Sequence, residues 1–123
     1  MNRDEFTAEY TGFLKQVLHL SEKARREGLL SLEGGLDRKK VAERDIFEYG
    51  LSFVIDGWDA VIIVKILSNI INQEKDEYIR LFKTIQMEAV MGIQAGFNNR
   101  ALFFILNSYT DIPLKDDKAY TGL

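Results

Sequence analysis

Apolar residues recur at Phe6, Tyr10, Phe13, Leu14, Val17, Leu20 and Ala24, steps of three and four that draw one stripe along a helix facing a core. The spacing predicts a first helix over residues 4–27. Lys23, Arg25 and Arg26 precede Gly28, and cations in a last turn with glycine just beyond form a helix stop. Leu29 to Leu32 is a short apolar patch ahead of Gly34 and Gly35, room for about one turn before a flexible break. Residues 37–44 are mostly charged.

A second helix is expected from Asp45, whose side chain can accept from free backbone donors while Glu48 reaches back as a capping box. Phe47, Leu51, Val54 and Ile55 give it a buried stripe, and Gly57 ends it in a left-handed turn. Asp59, after Trp58, is placed to cap the next helix. Between Ala60 and Ala95 there is no proline and Gly92 is the only glycine. One long helix or two helices meeting near Asn72 to Glu77 both fit that pattern. Tyr78, Leu81, Phe82, Ile85, Ala89 and Ile93 keep helical register, Gly96 closes the run, and Asn98 is set to cap a last helix whose apolar body is Ala101 to Tyr109. The reading is an all-α bundle of four to five helices forming one domain over residues 1–110, with the first helix packed against the Tyr78 to Ala95 helix. A loosely ordered tail is expected over 111–123, past the one proline, Pro113.

Composition narrows the function classes. A chain of 123 residues that is 46% hydrophobic holds one modest core. A net charge of −3 offers no positive field for a phosphate backbone, so nucleic acid is not expected as a partner. There is no cysteine, which excludes disulfides and thiolate zinc sites and agrees with the cytoplasm. Asp4, Glu5 and Glu9 come before any apolar run, the wrong charge order for a secretory signal. Val61 to Ile71 is about half of the ~20 residues that cross a bilayer, and Lys65 and Asn69 interrupt it. No membrane insertion is expected.

Candidate chemistry is sparse. His19 is the single histidine, too few for a metal site, and is expected to be a structural or surface residue. No glycine-flanked serine elbow or phosphate loop is present. Asp56 and Asp59 flank Gly57 and Trp58 as turn and cap residues rather than cation ligands. The chain therefore reads as no enzyme, with no cofactor and no metal. Trp58, Phe97, Phe103, Phe104 and Tyr109 are aromatics of the kind that build cores or recognition surfaces, and Phe97, in a turn between helices, is the contact candidate.

Three blocks carry a family resemblance. ARREGLLSLE, Ala24 to Glu33, resembles the segment after the second membrane helix of the flagellar stator subunit MotA. DIFEYGLSFVIDGWD, Asp45 to Asp59, is similar to the next cytoplasmic block of that family, and MEAVMGIQAGFNNR, Met87 to Arg100, to the segment after the fourth membrane helix. The blocks keep their order and the resemblance covers roughly residues 20 to 105. It is weaker for the related TolQ and ExbB group. In the family, two membrane helices carrying the ion path lie between the second and third blocks; here Asn72 to Tyr78 joins them, so the chain by itself conducts no ions. Asn99 stands where the family commonly has proline.

The resemblance implies a compact helical domain that contacts the rotor protein FliG or the MotA stator, in the cytoplasm on the inner face of the membrane at the flagellar motor. It places Arg25 and Glu33 at the family's charged rotor contacts, with Arg26 and Glu27 as neighbours sharing the role. Read on their own, Arg25 would serve the helix dipole and Glu33 would be a solvated charge. The alternative reading is a structural scaffold that assembles with itself, with no motor role.

Overall fold

The computed structural model describes residues 1–36 and 45–113; the charged stretch 37–44 and the part of the expected tail from 114 onward lie outside the described residues. Helix α1, Arg3–Glu27, begins one residue earlier than expected, because Asn2 accepts from the Glu5 N–H and Glu5 returns the bond in a capping box. Its stripe is buried from Phe6 through Ala24. Gly28, at φ +92°, stops it and sends the chain into a 3-10 helix, Leu29–Gly35.

That 3-10 helix corrects the expectation of one turn and a flexible break. Gly34 and Gly35 continue it, and the Leu36 N–H donates to the Glu33 carbonyl at 3.1 Å. The cause is tertiary: Leu32 is buried in the core with Leu29 and Leu36 packed against it. A three-residue repeat brings Leu29 and Leu32 onto one face, so burial overrides the glycines' preference for disorder.

Helix α2, Ile46–Ile55, starts where Asp45 accepts from the Glu48 N–H at 2.9 Å, the Asp45 half of the expected box. Residues 60–95 divide into α3, Ala60–Ile71, and α4, Glu77–Ala95. The break is built by side chains. Asp76 caps α4 through the Ile79 N–H, and Glu74 accepts from the Lys75 and Asp76 N–H groups, from Lys83 Nζ at 3.0 Å, and through its carbonyl from Arg80. Helix α5, Asn99–Asn107, is capped by Asn98, which accepts from the Ala101 N–H at 2.8 Å. Among the described residues the chain is all helical, with no strand.

Helix α4 is the pillar. It touches α1, α2, α3 and α5. Phe82 meets Phe6 and Phe13 at near right angles, and Phe13 meets Phe47, so aromatic edges join α1, α2 and α4. The expected pairing of the first helix with Tyr78 to Ala95 is therefore present. Tyr10 buries its ring and donates its hydroxyl to Asn107 on α5. At the C-terminal side, Arg3 Nη1 reaches both Asp111 carboxylate oxygens at 2.9 Å, and Ile112 packs on the core. The first residues of the expected loose tail are thus tied to α1.

Helix α2 lies against α4 through Gly50, where an added Cβ would sit 2.6 Å from Val90 Cγ2. Overpacking of that kind costs about 1–3 kcal/mol. Gly50→Ala is expected to lower stability by that amount in chemical denaturation, and Val90→Ala on the same background is expected to recover part of it. The hydrogen bond from Lys83, then those from the backbone, hold the Glu74 carboxyl below its ordinary 4.5. A depressed carboxyl stabilises fully above its unfolded value and loses that contribution as pH falls through its folded value. Glu74 is therefore expected to titrate below 4.5 by NMR, and Lys83→Met to move its titration upward.

Candidate functional site

The residues assigned to partner binding cluster about the Gly28 turn. The Gly28 N–H closes α1 on the Ala24 carbonyl at 2.8 Å, and its own carbonyl accepts from both the N–H and the hydroxyl of Ser31. Arg25, Arg26 and Glu27 are exposed on the last turn of α1, and Glu33 is exposed on the 3-10 helix. Arg26 Nη1 lies 3.7 Å from Glu22 Oε1 across one helical turn, a solvated pair of small energetic value. Buried Ala24 and Leu32 lie just inside this charged edge, so its charges ride on a packed support.

Beside this edge is a groove that sequence reasoning did not assemble. Leu29, Val54, Trp58, Asp59, Met91 and Phe97 are among the lining residues of this open groove of about 650 Å³. Two glycine turns shape it. After α2, Gly57 has φ +82°, its N–H donates to the Val54 carbonyl and the Trp58 N–H to the Phe53 carbonyl. After α4, Gly96 has φ +74°, its N–H donates to Ile93 and the Phe97 N–H to Gly92. Both are Schellman motifs, as Gly57 and Gly96 were expected to allow.

Asp59 departs from expectation. It holds the cap position, its carbonyl accepting from the Ile62 and Ile63 N–H groups, but its side chain makes no capping bond. Asp59 is exposed and is one of the residues that line the groove. Trp58, Phe97, Phe104 and Tyr109 are each partly exposed, while Phe103 belongs to the core. Arg100 sits over the Phe104 ring at 5.0 Å. His19 is a surface residue of α1.

Helix α3 buries only Ile63, Leu67 and Ile71 and turns outward Val61, 79% exposed, with Ile62 and Val64. Hydropathy had marked this segment as apolar without saying which face would be covered. Among the described residues no group of three or more His, Asp or Glu side chains is placed to hold a metal ion, and no helix is long and apolar enough to cross a membrane. Comparison of the chain with family models, curated proteins and solved structures finds no match in any of the three.

Exposed charges contribute at most about 1 kcal/mol to folding. Arg25→Glu and Glu33→Lys are each expected to stay within that margin of the parent in thermal unfolding. A larger loss would mark these side chains as structural.

Proposed function

We propose that the chain is a protein-interaction module similar to the cytoplasmic part of MotA, acting in the cytoplasm at the flagellar motor by contacting a FliG-like rotor protein or the stator itself. It is neither an enzyme nor an ion channel in this reading. The observation that carries it is the exposure of Arg25 and Glu33 on opposite sides of the Gly28 turn, the two positions that the resemblance assigns to rotor contacts. Opposite charges held on a rigid bend suit recognition of a complementary pattern, supporting encounter rate and partner choice more than affinity. Arg26 and Glu27 extend the same edge.

A second reading is favoured by α3. Its outward Val61, Ile62 and Val64 form an apolar face of the kind that marks association surfaces. Self-assembly through that face gives a scaffold with no motor role. Sedimentation over a wide concentration range separates the two, because only the scaffold reading requires a mass that grows with concentration.

Calorimetric titration with the FliG-like rotor protein of the same organism tests the first reading. Binding is expected for the parent, and Arg25→Glu or Glu33→Lys is expected to weaken it, more at low salt than at high salt. A parent that does not bind removes direct rotor contact. Equal binding by both reversals removes the site assignment.

A further inference from the structure

We infer that the groove between Trp58 and Phe97 receives an amphipathic helix of a partner protein, with its apolar face between the two rings, an acidic edge toward Arg25 and a basic edge toward Asp59. This deepens the protein-interaction reading and rests on it. The two aromatic walls have the same origin. Each is the residue just after the glycine of a Schellman turn, the position whose side chain folds back on the helix it follows. Trp58 does so by stacking on Phe53, ring centroids 4.6 Å apart and planes 5° from parallel. Local packing thus uses one face of the Trp58 ring, yet Trp58 is still 41% exposed, and Phe97 is 43% exposed. Val54, Met91 and Leu29 add apolar lining to the groove.

The backbone that carries each ring is tied to a neighbouring helix. Gln94 Nε2 donates to the Trp58 carbonyl at 2.9 Å, and Ser21 Oγ to the Phe97 carbonyl at 3.5 Å. Groups already ordered lose little entropy on binding, and partly exposed aromatics are the residue types that dominate interface energy.

Charge fixes the occupant's chemistry. Val17 and Ser21 are buried on one row of α1, and Ser21 touches the Phe97 backbone. Arg25 is the next residue on that row, one turn on and two residues before the helix ends at Glu27. Arg25, exposed, therefore lies on the Phe97 side of the groove. On the Trp58 side, Asp59 is a lining residue, is exposed, and its carboxylate makes no capping bond. An apolar trough with a cation on one rim and an anion on the other complements a helix with oppositely charged edges, and fixes its direction. No strand edge exists among the described residues for an extended peptide to join.

Trp58 is the only tryptophan, so its emission reports on the groove. The probe is a synthetic helix with leucines at i, i+3, i+4 and i+7 spacing, glutamates along one edge and lysines along the other; the control has the same leucines with both edges acidic. The parent is expected to bind the probe with a blue shift of Trp58 and to prefer it to the control. Phe97→Asp is expected to weaken binding about tenfold or more at any salt concentration. Asp59→Lys, a change at an exposed side chain that makes no cap bond, is expected to reverse the preference toward the acidic control, and decides the matter if Phe97→Asp unfolds.

No shift with the probe, or no change in preference with Asp59→Lys, overturns the inference. So does a blue shift that tracks chain concentration without peptide, which would assign the groove to a second copy. The rotor protein separates the two proposals. If Arg25→Glu weakens rotor binding while Phe97→Asp, melting like the parent, leaves it unchanged, the groove inference falls and the rotor reading stands. If the rotor protein fails to bind while the probe binds as described, the rotor reading falls and the groove stands.

Discussion

Everything in this molecule hangs on how closely α2 can approach α4. At Gly50 there is no room for even a methyl group against Val90, and the missing side chain lets the two backbones come together. On the same helix Leu51 and Val54 are buried in the core, and Val54 also lines the groove with Met91. Close packing makes such a site intolerant of added volume. A similar device recurs at Gly92, where an added Cβ would lie 2.5 Å from Leu102 Cδ1. There the absence of a side chain seats α5, and with it the turn that carries Phe97.

Three glycine turns at helix ends then set which side chains the packed frame exposes at one end of the bundle. Gly28 brings Arg25 and Glu33 to either side of one bend, while Gly57 and Gly96 present Trp58 and Phe97. Each turn is anchored by backbone hydrogen bonds rather than by the exposed side chains themselves. This is the division expected when binding groups sit on a scaffold whose own stability comes from elsewhere.

Much of the frame was legible in the chain. Helical period located α1, α2, α4 and α5, and Asp45, Gly57, Gly96 and Asn98 fell where caps and stops were expected, because those signals are local. What was not legible depended on distant contacts. The 3-10 helix exists because Leu32 is buried, and no local rule forecasts a helix through Gly34 and Gly35. The split between α3 and α4 rests on Glu74 and its ties to Lys83 and Arg80, which a sequence does not display as a network. Asp59 matched a capping rule by type and position, but its side chain makes no capping bond. Asn99, a buried residue where the resembled family commonly has proline, leaves its Oδ1 without a hydrogen-bond partner. The groove itself was invisible because Leu29, Trp58 and Phe97 are far apart in sequence, though Phe97 alone had been singled out by its place in a turn.

The central claim is that one end of the bundle, where α1 meets the 3-10 helix and the Trp58–Phe97 groove, is the face that meets a protein partner. Hydrogen–deuterium exchange of the chain with and without the rotor protein tests it most directly. The account predicts added protection confined to residues 24–36, 54–61 and 91–98. Protection centred instead on the outer face of α3 beyond residue 61, or on α1 near its start, would contradict it.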